Sequence, residues 1–239
     1  DAALETLERA GAANPLDATL PLNRTVLGAM LGRRDAVDAA YRDFEQMDAS
    51  ELVRGVTEGW WRISRGELDA AAKIFDETYS RHQLHLLALA CAEAEALRGD
   101  DRRCLHYLDA WLGKNPYALE AHWLRGLCYG RLGDAAARRA AAREAAACVA
   151  RLEKHYTNTS LTVYRAYFTA RAGDAGDSPA ALRSLDTRRE DTFTRYLQAV
   201  TLALRGDRSA LAAAPTPYSP IYWLNNFSRR EMDELKNAR

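Results

Sequence analysis

The titratable side chains of this 239-residue chain offer few arrangements that can do chemistry. His82 and His85 are three residues apart, so both fall on one face of a helix and can pair as metal ligands. No Cys, Asp or Glu at helical spacing completes a ligand set around them. The chain also has no phosphate-binding glycine loop, no GxSxG elbow and no HExxH pair. We therefore expect no metal site, no cofactor and no catalytic activity.

The four cysteines lie in apolar helical stretches and have no CxxC spacing. They are Cys91, Cys104, Cys128 and Cys148. We interpret them as buried free thiols of a protein in the reducing cytoplasm. No window approaches the length of a membrane-spanning helix. The start at Asp1 leaves open that the chain is a fragment or a processed form, and its Ala and Arg usage suggests a bacterial source.

The charges disfavour nucleic acid as a partner. Lys and Arg number 33 and Asp and Glu number 33, so there is no net field to gather phosphates. Four arginines do recur along one Ala-rich stretch, at Arg138, Arg139, Arg143 and Arg151. Acidic neighbours lower the local charge there, and a solvated helix face explains them better.

Six glycines divide the chain into repeats. They are Gly32, Gly66, Gly99, Gly133, Gly173 and Gly206, at steps of 34, 33, 34, 40 and 33 residues. Apolar residues at helical spacing precede and follow each glycine, which is typical of a helical-hairpin repeat. Glycine suits the joint because a turn at the end of a helix often needs a positive φ. The 40-residue step predicts a longer second helix, over residues 135–156.

The position seven residues before each of these glycines never holds a large side chain. Its occupants are Thr25, Gly59, Ala92, Gly126, Ala166 and Ala199. A small residue lets a neighbouring helix approach closely, and glycine costs about 1 kcal/mol of helix propensity that only packing offsets. We therefore predict a close helix contact at this position, Gly126 included.

This pattern resembles the tetratricopeptide repeat family, in which a small residue and a turn glycine precede a small residue, an aromatic and an alanine in the second helix. The repeat around Gly66 has Gly59, Ala71 and Phe75 at these places, and the next repeat ends on Pro116 at the family's spacing. The resemblance covers residues 17–214. It implies an all-α, right-handed α-solenoid of about six hairpins, after an N-terminal helix or lead-in at residues 1–16.

Residues 215–239 break the repeat. Pro215, Pro217 and Pro220 forbid a continued helix. Ser228 followed by Glu231 is a capping-box signature for a helix over residues 229–238. We expect this segment to cap the array, with its apolar end covered by Ile221, Tyr222, Trp223 and Phe227.

Two positions in the first helix of a hairpin, taken over five of the six repeats, define a predicted groove. In the family, residues near the small position form the concave face. Here we assign Val56, Trp60, Leu89, Glu93, Trp123, Leu127, Val163, Tyr167 and Tyr196 to it. An exposed apolar patch usually marks an interaction site, although the same positions can instead fill the core between adjacent repeats. The aromatic members favour the groove, because their polar tips prefer a wet edge.

The resemblance implies protein partners. In one binding mode of the family, Lys, Arg and Asn side chains bind a C-terminal carboxylate. That mode is disfavoured here, because the equivalent positions are apolar apart from Glu93. We predict a non-catalytic scaffold or chaperone-like module that binds an apolar or amphipathic peptide segment. The alternative is a regulatory or self-association domain of a larger protein, such as a bacterial regulator or a secretion-associated protein, with a homodimer possible. An RNA-binding repeat is less favoured.

Overall fold

The chain folds from helices alone in the residues that a computed structural model describes, which are 2–188, 190–212, 214 and 231–237. These residues belong to two compact units that meet in sequence after Trp111. The all-α prediction is therefore confirmed, and each unit is built from helical hairpins. None of the described helices is long and apolar enough to cross a membrane.

In the first unit, the described residues form seven helices that follow one another through short turns. They are α1 (Ala2–Ala13), α2 (Thr19–Met30), α3 (Arg34–Glu45), α4 (Glu51–Ser64), α5 (Leu68–His82), α6 (His85–Arg98) and α7 (Asp101–Leu112), the last residue of which belongs to the second unit. Helix α2 packs on α3, and α4 on α5, as sequential hairpins do. Helix α1 precedes the first hairpin and packs on α2.

The described part of the second unit contains one complete hairpin and two hairpins with a short second helix. Its elements are α8 (Leu119–Arg131), α9 (Ala135–Leu152), α10 (Thr159–Ala172), α11 (Pro179–Ser184), α12 (Thr192–Leu204) and a 3-10 helix (Arg208–Leu211). Residues 231–237 are also helical and belong to this unit. We call residues 231–237 the C-terminal segment. About six hairpins were predicted. In the last two hairpins the second helix, which follows Gly173 in one and Gly206 in the other, is short.

All six turn glycines adopt a positive φ, between 66° and 99°. At Gly99, for example, the amides of Gly99 and Asp100 both donate to the Glu95 carbonyl at 2.9 Å, which closes the end of α6. A side chain with a Cβ is disfavoured in this left-handed region. The predicted role of the glycines is therefore confirmed.

Polar side chains cap the starts of several helices. Asp134 accepts from the Ala137 amide at 2.9 Å, and Asn158 accepts from the Leu161 amide at 2.8 Å. Asp69 lies in the first turn of α5, which begins at Leu68. Helix α9 spans 18 residues and is the longest described helix, as the 40-residue step predicted, but it ends at Leu152 and not at residue 156.

The packed interior contains all four cysteines, which are buried and form no disulfide, as predicted. In the second unit, Ala166, Leu182 and Leu202 form a buried cluster that joins α10, α11 and α12. The Gln198 amide donates to the Leu182 carbonyl at 2.7 Å, so α12 also holds the end of α11 by a hydrogen bond. These contacts fix the spacing of α10 and α12.

The predicted boundaries at 16/17 and 214/215 stay predictions. The residues expected to cover the end of the array, Ile221, Tyr222, Trp223 and Phe227, lie outside the described residues, as does Ser228. The described helix 231–237 falls within the predicted range of 229–238.

Candidate functional site

A buried carboxylate marks the candidate site, which lies wholly within the second unit. Glu231 of the C-terminal segment is only 1% exposed. Its Oε2 accepts from the Trp123 indole at 3.2 Å and from the Tyr196 hydroxyl. Its Oε1 accepts from the Tyr167 hydroxyl at 2.8 Å and from the Arg171 guanidinium. We call Trp123, Tyr167, Arg171 and Tyr196 the carboxylate pocket.

The first helices of three hairpins supply the side chains of this pocket. Trp123 lies on α8, Tyr167 and Arg171 on α10, and Tyr196 on α12. Tyr167 and Arg171 are four residues apart, so they share one face of α10. The repeat therefore delivers donor groups from three separate hairpins to one point.

Aromatic packing orients the donors. The Phe193 ring lies edge-on to Trp123, with ring centroids 5.1 Å apart, and stacks on Tyr196 at 5.9 Å. Arg171 donates from Nε to the Tyr167 hydroxyl at 3.3 Å, and its guanidinium lies 5.5 Å from the centroid of that ring. Since each donor is held by a neighbour, the pocket is preorganised for an anion.

The electrostatics of the pocket favour a bound carboxylate. A carboxylate removed from water is costly unless it is paired and hydrogen-bonded. Here Arg171, whose side chain is 10% exposed, supplies the opposite charge, and three neutral donors fill the remaining acceptor sites. A charge-assisted bond of this kind is about twice as strong as a neutral one.

A second guanidinium borders the pocket. Arg138 of α9 is half-buried and lines a small cavity together with His122, Trp123, Gly126 and Arg171. Burial, and then the charge of Arg171, lowers the pKa of Arg138, while Glu234 acts in the opposite direction. Among the described residues Arg138 has no hydrogen bond or ion pair.

The cavity explains Gly126 differently from the sequence prediction. A Cβ placed at Gly126 meets no atom within 4 Å, so this glycine does not mark a close helix contact, and that prediction is wrong. At Gly59 the prediction holds, because a Cβ there would lie 2.5 Å from the Phe75 ring. Gly126 instead leaves open the space between Trp123 and Arg138.

The nine residues predicted for the groove are less exposed than an open groove requires. Those buried are Trp60, Trp123, Leu127, Val163, Tyr167 and Tyr196. Those half-buried are Val56, Leu89 and Glu93. In this conformation they do not form an open apolar surface, and their role in binding a partner stays a prediction.

Three of the nine, Trp123, Tyr167 and Tyr196, meet at the carboxylate pocket. In the first unit, Trp60 packs edge-on against Phe75, with ring centroids 5.6 Å apart. Sequence reasoning missed Arg171, Arg138 and Glu231. For Arg171 a signal was available, since it follows Tyr167 by one helical turn.

The first unit holds a separate buried carboxylate, Glu95, which is 1% exposed. Arg98 and Arg103 pair with it at 2.6 and 3.0 Å. Arg103 also pairs with Asp76 at 3.2 Å, and Asp76 accepts from the Tyr107 hydroxyl. Burial raises the pKa of Tyr107 to about 12. Each charged side chain in this cluster has a partner of opposite charge. The cluster therefore joins α5, α6 and α7 and leaves no charge for a ligand to bind.

In the described part of the chain, no three His, Cys, Asp or Glu side chains lie together as a group that could bind a metal ion. His85 lies against Trp111 instead, with ring centroids 5.8 Å apart.

Comparison with known proteins adds one finding. No protein-family model and no curated protein matches the sequence. A crystal structure of a tetratricopeptide repeat protein from Parabacteroides merdae is similar to the chain, with 14% identity and a TM-score of 0.44, covering 91% of this chain and 99% of that one. The helical hairpins of the two units, rather than this distant likeness, make the chain an all-α helical-repeat protein.

Proposed function

We propose that the chain is a non-catalytic protein-interaction module that binds an amphipathic peptide segment against α8, α10 and α12. One observation carries the proposal. Side chains from these three helices converge on a short helical segment and hold its buried glutamate with four hydrogen-bond donors. A helix laid across neighbouring helices is a recurring way of recognising peptides.

The chemistry of the pocket supports binding rather than catalysis. Its groups are an indole, two phenols and a guanidinium, which donate hydrogen bonds to an anion. A nucleophile activated by an adjacent base would need a different set. The four buried thiols support a reducing, cytoplasmic setting.

A regulatory or self-association domain is the second candidate function. It is favoured by the fact that the segment in the pocket comes from this same chain. A second copy offers the same segment, so a homodimer formed by exchange is its natural product.

The proposed function is tested by selecting helical peptides from a displayed library on the immobilised full chain. The selected peptides are then measured against two chains that both carry Glu231→Gln, one of which also lacks two pocket hydroxyls through Tyr167→Phe with Tyr196→Phe. The shared Glu231→Gln change is needed because these hydroxyls also hold the chain's own segment. The matched control is Tyr156→Phe, which removes a hydroxyl from an exposed tyrosine of the same unit.

We expect the chain without the two hydroxyls to bind at least about tenfold more weakly than its Glu231→Gln parent, since two neutral hydrogen bonds are lost. The control Tyr156→Phe, made in the same parent, should bind like that parent. Circular dichroism of each variant checks that the helices remain. Equal affinities for the chain without the two hydroxyls and the control would contradict binding at this face.

A further inference from the structure

Only one of the two guanidiniums at the carboxylate pocket forms an ion pair with the described C-terminal segment. Arg171 is paired with Glu231, and that pair is almost completely buried. Arg138, on the adjoining wall, has no ion pair within the described residues. The site thus holds two guanidiniums and one bound carboxylate, beside a cavity that Gly126 leaves open.

The C-terminal segment nevertheless carries a second acid in a suitable place. Glu234 follows Glu231 by three residues, so both lie on one side of the helix. Glu234 is exposed but lies near enough to Arg138 to favour its charged form. Met232 is buried and Leu235 half-buried, so an apolar edge accompanies the two acids.

We propose that this site recognises an acidic amphipathic helix of the pattern Glu-x-x-Glu, and that the chain's own C-terminal segment occupies it in place of such a partner. The inference rests on the proposed function and names its ligand class. The partner's first glutamate takes the position of Glu231 in the carboxylate pocket. Its second glutamate pairs with Arg138, which the chain's own segment leaves without an ion pair.

Occupation from within the chain makes the site self-inhibited. A tethered segment acts at an effective concentration on the order of millimolar, so a weakly binding partner cannot displace it. A free helix with the same two glutamates is not held by the rest of the chain, so it can bring its second glutamate to ion-pair distance from Arg138. It then gains one charge-assisted bond that Glu234 does not form with Arg138 in the described part of the chain. The self-inhibited site therefore favours partner helices that carry the second glutamate over those that lack it.

The test uses the full chain and a fluorescein-labelled, helix-stabilised peptide with the sequence of residues 231–237. Fluorescence anisotropy compares this peptide with versions carrying Gln at the place of Glu231 or of Glu234. The proteins are the wild type, Glu231→Gln, Glu231→Gln with Arg138→Gln, and the control Tyr156→Phe. Thermal melting followed by circular dichroism checks that each protein is folded.

We expect Glu231→Gln to bind the acidic peptide at least about tenfold more tightly than the wild type does, because the internal competitor is weakened. Gln at the first position should reduce binding by about tenfold or more, the effect of one lost charged hydrogen bond. Gln at the second position should weaken binding to Glu231→Gln but not to the protein that also carries Arg138→Gln.

A second measurement needs no variant. Hydrogen exchange of the amides in residues 231–237 of the wild type should accelerate when the unlabelled acidic peptide is added at millimolar concentration. The peptide with Gln at both places should leave the exchange unchanged.

The outcomes separate the two proposals. Equal binding of acidic and Gln peptides by a folded Glu231→Gln chain overturns the acidic specificity and leaves peptide binding at this face intact. If no peptide binds and the exchange does not change, the C-terminal segment is a permanent part of the unit and the self-inhibited site is wrong. The displayed library then decides the proposed function on its own.

Discussion

Glu231→Gln should destabilise the second unit by several kcal/mol, although it changes neither the size nor the shape of the side chain. The reason lies in the donors around the carboxylate. Trp123 and Tyr196 donate to one oxygen, while Tyr167 and Arg171 donate to the other. An amide places an NH₂ group on one of these two sides, so donor faces donor whichever way it turns.

The magnitude follows from the partners that cannot adapt. A tyrosine hydroxyl can turn and accept, but an indole N–H and a guanidinium can only donate. With the NH₂ toward Trp123, the indole is left unsatisfied, at a cost of about 1–3 kcal/mol. Arg171 also loses its counter-charge, and breaking a buried pair costs about 3–5 kcal/mol. Because these terms overlap, we expect a total of about 3–5 kcal/mol.

Release of the segment limits the loss that can be measured. If undocking residues 231–237 costs less than keeping the amide in the pocket, the segment leaves and the effect saturates. Urea unfolding followed by circular dichroism gives the stability change, and hydrogen exchange of residues 231–237 shows whether release has occurred. Either way the unfolding midpoint falls or the segment loses protection.

The matched control is Glu234→Gln, which makes the same chemical change at an exposed position of the same helix. It should stay within about 0.5 kcal/mol of the wild type. A double-mutant cycle of Glu231→Gln with Arg171→Met should give a coupling of at least about 1 kcal/mol. If Glu231→Gln and Glu234→Gln have equal stabilities and equal protection, the four-donor pocket does not exist in solution.

Three other predictions follow from burial and packing. Gly126→Ala should raise the free energy of unfolding by about 0.5–1 kcal/mol through helix propensity. Gly59→Ala should lower it, because its Cβ meets an aromatic ring at 2.5 Å. If urea unfolding showed the free energies of both variants shifted in the same direction, the packing described for these glycines would be contradicted. Burial lowers the pKa of His122, so its contribution to stability is full above its unfolded pKa of about 6.5 and is lost as the pH falls toward the folded value. The melting temperature should therefore be lower at about pH 5 than at about pH 7.5. This difference should be smaller in His122→Asn, whereas the exposed control His155→Asn should keep the full difference. Burial raises the pKa of the Cys91 thiol to about 12, so iodoacetamide at mildly alkaline pH should leave it unmodified in the native chain, and rapid labelling would be the contrary result.

The hairpin architecture could be predicted from the sequence because its determinants are local. A turn that needs a positive φ selects glycine whatever lies around it, and all six predicted glycines have that conformation. Helix caps are equally local, as Asp134 and Asn158 illustrate. Even the lengthened α9 follows from a count of residues between two turns.

The role of Gly126 could not be predicted, because a small residue has two opposite explanations. Gly59 makes room for a neighbouring ring, whereas Gly126 borders a cavity. Both occupy the same place in the repeat, seven residues before a turn glycine. What distinguishes them is the neighbouring side chain, which is Phe75 in one case and absent within 4 Å in the other.

The carboxylate pocket depends on a partner that lies 108 residues from Trp123 and 35 from Tyr196. Local sequence gave Glu231 a different interpretation, as the second member of a capping box that begins at Ser228, a residue outside the described ranges. A buried carboxylate takes whichever donors satisfy it, and here they come from three separate helices. The predictive clue was the choice of Trp123, Tyr167 and Tyr196 over phenylalanine. Three polar tips at the two predicted groove positions of successive hairpins indicate a shared acceptor, and only the folded chain identifies it as the protein's own glutamate.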